Sequence, residues 1–455
     1  MGPKHIAKKN LTYWIPVRKN KIHVASKPKS ARSMATFQES LKATLFMGQM
    51  FSLMPVVGIL NKNTANLRFV KVHWKIVYTC LSFVGQLFMT IMCTMKVFND
   101  TSLKSTTPVI FYGTTLITMG MFLQVAINWP CLVQHISKTE ELDPNFDSKL
   151  LYRCNITCAI VLTMALFEHI LSLLSAFAGA MVCFPDAHLY EGFVRHFYPW
   201  VFNFLPYTPV LGLLTQFLHF QSTFIWNFSD LFVICMSYYL TSRLEQVNKK
   251  LTAAQGKYLP EVFWKTSRED YCRVTQLVRR VDDVISGVIF ISFANNLFFI
   301  CLQLFNTLEN GVKDTLDCTV RPKGNLNKSH ILGGYEAAAY FIFSLVFLIS
   351  RSVAVSLIAS QVNSASNVPA PVLYDVPSPV YCVEVQRFLD QVNGDVVALS
   401  GLQFFIVTRG LLLSVAGTIV TYELVMVQFN SPSPSAVPAN VSTVLPLLLS
   451  TTPTA

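Results

Sequence analysis

Long apolar runs separated by polar or charged stretches dominate this chain. Seven runs stand out, at 74–97, 107–133, 154–180, 206–240, 283–307, 335–361 and 402–429. At about 1.5 Å of rise per residue, each is long enough as a helix to cross a hydrocarbon layer of about 30 Å. An earlier run, 41–60, is broken by Lys42, Gln49 and Pro55 and is expected to re-enter the membrane or lie at its surface without spanning. Backbone groups in lipid must find partners within their own segment, so the pattern predicts an all-α, polytopic protein with seven transmembrane helices.

The last run carries its polar positions in a regular order. Ser414, Thr418, Thr421, Val425 and Gln428 follow one another at steps of four and three, which places them on one helical stripe. The other faces carry Leu, Ile and Val. Such a stripe requires water or another protein surface, although small residues also let membrane helices pack closely and hydroxyls bond back to their own turn.

Composition agrees with a membrane protein: 52% of residues are hydrophobic, 13% are charged and the mean hydropathy is +0.44, too little polar surface for a soluble fold. The net charge of +11 is not a nucleic-acid signature, because Lys and Arg fall in loops between spans. With the amino terminus in the cytosol, the inner segments hold 26 Lys and Arg and the outer segments 6, the asymmetry expected of cytosolic loops. Residues 1–40 are basic and lack the apolar centre of a cleavable signal peptide. Glycosylation triplets at Asn99, Asn327 and Asn440 all fall outside in this arrangement, whereas those at Asn10, Asn155 and Asn227 fall in cytosolic or membrane regions. The carboxyl terminus is then extracellular, the reverse of a G-protein-coupled receptor, and the Asp-Arg-Tyr and Asn-Pro-x-x-Tyr motifs of that class are missing from the sequence.

Of eleven cysteines, only Cys183 and Cys318 lie in outer loops, where they are either one disulfide or two free thiols. Cys154 and Cys158 share a helical face without a CxxC, and there is no HExxH, so no metal site is expected. Without a nucleophile elbow, a phosphate-cradling glycine loop or a deaminase signature, the chain reads as neither an enzyme nor a cofactor-binding protein. The stretch 241–280, with Arg243, Lys249, Lys250, Arg279 and Arg280, is expected to extend the flanking helices into the cytosol with a solvated, lipid-facing basic surface.

Polar groups inside spans are the sharper clue, because each is unfavourable unless it faces the bundle interior, a partner or water. Glu168 and His169 lie in the third span, Trp226, Asn227 and Asp230 in the fourth, Asn295, Asn296 and Gln303 in the fifth, and Tyr335 and Tyr340 in the sixth. Trp226 and Asp230 are four apart and share a face. A sugar needs carboxylates or amides for its hydroxyls and a flat aromatic surface for its C–H face, which this set supplies. The same residues also suit a plainer role, tying helices together with Trp226 at the interface.

The run Thr421 to Phe429, TYELVMVQF, resembles the TYhhhhhQF signature (h, hydrophobic) of the seventh helix of insect gustatory receptors. VALSG (397–401), the Thr408–Arg409 pair, AGTIVTYEL (416–424), LFEHIL (166–171), FIWNFSDLF (224–232) and ANNLFF (294–299) resemble the sugar-receptor clade of that superfamily. The resemblance implies a subunit of a ligand-gated, non-selective channel for monovalent and divalent cations, a homo- or heterotetramer with related gustatory receptors. The resemblance also implies a place in the plasma membrane of chemosensory neurons, among membrane lipid, with four seventh helices around the pore. Gln428 then presents amides near the outer mouth, and Val425, one turn inward, forms a hydrophobic constriction. A sugar or polyol is expected in the outer half of the bundle among Glu168, His169, Trp226, Asp230, Asn295, Asn296, Gln303, Tyr335 and Tyr340. Glu423 lies about 200° round the helix from Thr421, faces its own subunit and is assigned the coupling of pocket to gate.

The chain then divides into a basic cytosolic region (1–73), a six-span binding and anchor bundle (74–361), a cytosolic segment with the pore helix (362–429) and a disordered extracellular tail (430–455). A transporter requires paired repeats or broken helices, and no internal duplication is evident. A metabotropic receptor requires the opposite topology.

Overall fold

The computed structural model describes residues 36–61, 66–99, 103–143, 147–184, 188–310 and 335–430. The chain divides into Met1–Met34 and Ala35–Ala455, and every described residue belongs to the second unit. Its helices are α1 (Phe37–Met50), α2 (Trp74–Asn99), α3 (Leu103–Leu142), α4 (Leu150–Cys183), α5 (Leu189–Phe197), α6 (Pro199–Phe202), α7 (Pro209–Thr252), α8 (Glu261–Asn310), α9 (Glu336–Ser366), α10 (Pro369–Tyr374), α11 (Val383–Gly394) and α12 (Arg409–Asn430). A two-stranded hairpin, β1 (Ser400–Gly401) and β2 (Phe405–Ile406), precedes α12.

Each predicted span overlaps one helix: α2, α3, α4, α7, α8, α9 and α12 in turn. Among the described residues, five helices (α2, α3, α4, α8 and α9) are long and apolar enough to cross a membrane. α7 is not among them, and its position explains why. It packs against α1, α2, α3, α4, α5, α8, α9 and α10. From Phe224 to Leu244 every residue of α7 is buried except the half-buried Trp226 and Tyr238. A helix walled in by other helices meets protein rather than lipid, and can carry Asn227, Ser229 and Asp230 on its surface.

α1 has 14 residues, about 21 Å of helix and short of a bilayer crossing. Thr36 Oγ1 accepts from the Glu39 amide at 3.4 Å to cap its first turn. Phe37, Leu41 and Leu45 recur at steps of four on its buried face, with the Phe37 ring 4.6 Å from that of Tyr239 and 5.8 Å from that of Trp129. Gln49, one of the residues that interrupts the apolar run, folds the chain back after α1: its Nε2 donates to the carbonyls of Met54 at 2.9 Å and Val56 at 2.6 Å.

α7 and α8 run far past the bilayer, about 66 and 75 Å by helical rise, over 44 and 50 residues. Their joined ends form a helical extension packed with α10 and α11. The basic face expected there is not uniformly solvated. Arg243 is buried, donates to the Asp143 carbonyl at 3.2 Å and faces its carboxylate at 3.8 Å, and Lys250 bridges to Asp270 at 3.1 Å. Arg279 pairs with Asp395 at 3.1 Å. These charges tie the extension to its neighbours, because a cation can be buried only beside an acceptor.

The last helix is shorter than the apolar run that predicts it. Residues 402–408 are not helical: Leu402 and Gln403 adopt positive φ of 50° and 61°, and the Phe404 amide closes the turn on the Gly401 carbonyl at 3.0 Å. A Cβ on Gly401 would meet the Phe405 ring at 2.3 Å, so the glycine of VALSG is what lets the hairpin close. α12 therefore starts at Arg409, and its 22 residues span about 33 Å. It packs on α8 and α9. Leu411, Val415 and Ile419 are half-buried and Glu423 buried along one face, while Ser414, Thr418, Thr421, Val425 and Gln428 are all exposed.

Candidate functional site

One end of the bundle encloses a cavity of about 650 Å3. Helical periodicity places its walls. On α4, Glu168, Ser172, Ser175 and Gly179 follow at steps of four, three and four; on α7, His219, Thr223 and Trp226 at steps of four and three; on α9, Tyr340 and Ser344 are four apart. α3 adds Phe111 and Tyr112, α8 adds Phe299, Leu302 and Gln303, and the short α5 and α6 add His196, Phe197 and Trp200. A Cβ at Gly179 would lie 2.6 Å from His196 Nε2, so the glycine lets α5 approach α4.

The two sides of the cavity differ in chemistry. On one, three helices are joined by hydrogen bonds: Ser344 Oγ donates to Glu168 Oε1 at 2.6 Å and accepts from Gln303 Nε2 at 3.0 Å. On the other, Tyr112 Oη and His219 Nδ1 are 3.0 Å apart within a cage of rings, with His169 at 5.7 Å, Phe197 at 5.1 Å and Tyr198 at 5.7 Å from the His219 ring. Trp226 and Phe299, with centroids 4.7 Å apart, supply flat apolar surface. Gln303 Oε1, Trp200 Nε1 and Trp226 Nε1 are buried and make no hydrogen bond among the described residues. A ligand with both C–H faces and hydroxyls matches such a lining.

Of the residues predicted for the pocket, Glu168, His169, Trp226, Gln303 and Tyr340 line this cavity. Four do not. Tyr335 precedes α9 and is 73% exposed, because it stands where the helix begins rather than on its inner face. Asp230, Asn295 and Asn296 are buried about one turn below the cavity, packed into the helix contacts.

Asp230 is held by a residue that the sequence reading passed over. Arg351 Nε stands 2.7 Å from Asp230 Oδ2, with the two side chains 2% and 0% exposed. Arg351 also donates to Asn227 Oδ1, and to Asn296 Oδ1 at 3.3 Å. Asn296 Nδ2 donates to Asp230 Oδ2 at 3.0 Å, and Ser292 Oγ donates to Oδ1. The signal was present, since an arginine amid an apolar span demands a counter-charge. His219, Ser172 and Ser344 were likewise legible as continuations of the stripes that hold Trp226, Glu168 and Tyr340.

The residues predicted to line a pore form an exposed stripe of α12, and Thr418 and Thr421 bond back to the carbonyls of Ser414 and Gly417, both at 2.9 Å. Glu423 points the other way, 8% exposed, with neither carboxylate oxygen hydrogen-bonded among the described residues. Ile419, one turn before it, packs in the same apolar cluster as Phe299, Leu302 and Trp226 of the cavity wall. Cys183 is disulfide-bonded. Cys318, Asn327, Asn440 and the tail from residue 431 lie outside the described residues, and Asn99 is exposed at the end of α2. Among the described residues no cluster of His, Cys, Asp and Glu is arranged to hold a metal ion.

The model of the trehalose receptor family matches residues 18–317 and 326–436. The Drosophila melanogaster gustatory receptor for sugar taste 64f is 34% identical over 407 residues, covering 88% of this chain and 82% of that protein. Gustatory receptor 5a for trehalose, from the same fly, is 32% identical over 422 residues, or 91% and 87% of the two chains. Among solved structures, the insect olfactory receptor OR5 from Machilis hrabei in complex with eugenol superposes with a TM-score of 0.58 over 87% of this chain and 99% of that one, at 12% identity, a likeness of fold. The matched residues run from before α1 through α12, and the chain is a multi-pass membrane chemoreceptor that belongs to the trehalose receptor family, among the sugar receptors of the insect gustatory receptor superfamily.

Proposed function

We propose that this chain is a subunit of a sugar-gated, non-selective cation channel in the plasma membrane of taste neurons. A sugar or polyol binds in the cavity, with its hydroxyls on Glu168, Gln303, Ser344 and Tyr340 and its C–H face on Trp226. In this reading seven helices, α2, α3, α4, α7, α8, α9 and α12, cross the membrane with the amino terminus in the cytosol, so the cavity opens on the outer side. Four copies of α12, from this chain alone or with related receptors, surround the pore and carry monovalent and divalent cations. Thr421, Val425 and Gln428 line it, and Val425 closes it as an apolar ring that dewets at rest.

The observation that carries this reading is the contact between wall and pore helix. Ile419 of α12 touches the cluster that contains Phe299, Leu302 and Trp226, so a rearrangement of the cavity wall reaches α12 through packed side chains. Glu423, one turn on and facing α8, is assigned to the same coupling. The exposed polar stripe on the opposite side of α12 supports a surface that meets either water or other subunits. The relatives' names supply the ligand class, since one is a receptor for trehalose and others serve sugar taste.

The test is expression of the chain alone in an otherwise silent cell, recording current against a panel of sugars and polyols. Sugar-evoked cation current supports the reading. A chain that reaches the surface and gives no current with any sugar, alone or with related receptors, contradicts it.

A further inference from the structure

Arg351 sits beneath the cavity with acceptors from two neighbouring helices around it: Asp230 and Asn227 on α7 and Asn296 on α8. A deep ion pair of this kind is poorly explained by stability, because apolar groups of similar volume often hold a core as well or better. Its distinctive neighbour is Trp226. The guanidinium carbon lies 4.8 Å from the centroid of that ring, which also forms part of the cavity wall.

We propose that Arg351 is the positioning residue that turns occupation of the cavity into movement of α9 against α7 and α8; this rests on the ligand-gated reading above. One ring serves two partners, the ligand in the cavity and the cation below it. The attraction between a cation and an aromatic ring depends on how the charge sits relative to the ring face, so a ligand that reorients Trp226 weakens or strengthens its hold on Arg351. Asp230 meanwhile keeps the guanidinium at 2.7 Å, so the shift is passed to the α9 backbone rather than lost in side-chain motion. α9 packs on α12, which places the pore helix next in line.

A double-substitution cycle on the full chain tests this, with surface labelling of every variant and trehalose as the probe. Arg351→Lys keeps a cation for Asp230 but loses the planar fork and the stack, and Trp226→Phe keeps a ring but weakens the stack. Arg351→Lys at parental surface abundance is expected to lower the maximal evoked current about fivefold, within the range of a cation–π contact. Half-maximal concentration and binding of labelled trehalose to the solubilised receptor stay within about threefold, since no cavity contact is removed. Adding Trp226→Phe to Arg351→Lys should lower the current no further, because the contact between the two is already gone.

Multiplicative losses in the double variant, or binding and current falling in parallel, overturn the proposal. If Arg351→Lys does not reach the surface, Asp230→Asn, beneath the cavity and outside its lining, decides alone: reduced maximal current with retained binding of labelled trehalose supports it, and an unchanged maximal current overturns it. A parent that neither binds nor responds to trehalose or any other sugar of the panel sinks the sugar reading instead. The inference then stands or falls on the resting current, which Arg351→Lys must change at parental surface abundance.

Discussion

Ser400 meets Asp282 twice: its amide nitrogen donates to Oδ1 and its hydroxyl to Oδ2, each at 2.6 Å. The pair fastens the hairpin before α12 to the shaft of α8, so the root of α12 is fixed by two charge-assisted bonds. Such bonds contribute about 1.5–3 kcal/mol each, and losing the acceptor leaves a half-buried amide without a partner. Asp282→Ala is expected to destabilise the solubilised receptor by about 3–6 kcal/mol, and Asp282→Asn, which keeps one acceptor, by about half of that. Thermal unfolding in detergent checks this; an unchanged midpoint for Asp282→Ala would show the clamp to be idle.

Cavity residues and their exposed neighbour should separate cleanly. Gln303→Ala and Glu168→Ala each remove a hydrogen-bonding group from the lining, and raise the half-maximal sugar concentration about tenfold, the equivalent of about 1.4 kcal/mol. Tyr335→Ala, at a position 73% exposed, should leave it unchanged. Dose–response curves at matched surface abundance provide the readout, and a shift at Tyr335 as large as at Gln303 would place the ligand elsewhere.

On α12 the expected pattern is one of faces. Cysteines at Thr421, Val425 and Gln428 should react with charged thiol reagents during activation and alter the current, while one at Leu424 should not. Val425→Ser should raise the resting current, because a wetted constriction no longer opposes ions. Equal modification at Leu424 would mean that the stripe does not face the conduction path.

Glu423 offers a different signature. Its carboxylate is buried without a hydrogen-bond partner among the described residues, an arrangement that disfavours the charge. Glu423→Gln is therefore expected to reach the surface at least as well as the parent, and to reduce maximal current more than it shifts the half-maximal concentration. Parental current at parental abundance would refute the coupling role.

At the cytosolic end of the proposed topology, acidity should loosen α11. Arg268, whose Nε lies 3.0 Å from Glu384, and Arg387, at 2.9 Å, hold the Glu384 carboxyl below the ordinary value of 4.5. The folded value is the lower one, so the contribution is complete above 4.5 and is lost as pH falls through the depressed value. Hydrogen exchange across Val383–Gly394, corrected for intrinsic rates, should accelerate as pH drops below 4.5, and Glu384→Gln should flatten that dependence. An identical profile in the two proteins would rule the pair out as the source.

Local physics determined which segments became helices. An apolar run of twenty or more residues must satisfy its backbone within itself, so the positions of α2, α3, α4, α8 and α9 follow from the letters alone, and the 3.6-residue period likewise put Ser414, Thr418, Thr421, Val425 and Gln428 on one exposed stripe. That period also aligned Glu168 with Ser172 and Trp226 with Thr223 on their helices, which is why parts of two cavity walls were legible. What each face meets was decided only by packing. Glu168 finds Ser344, 176 residues away, and Asp230 finds Arg351 and Asn296 instead of the cavity, one turn too deep to reach it. The hairpin that delays α12 to Arg409 depends on Asp282, 118 residues earlier, because an apolar stretch with helical composition bends where a distant carboxylate offers its amide a better partner. Register around a helix axis is a property of one segment, whereas the partner across the interface belongs to another, and no periodicity within either one encodes their distance.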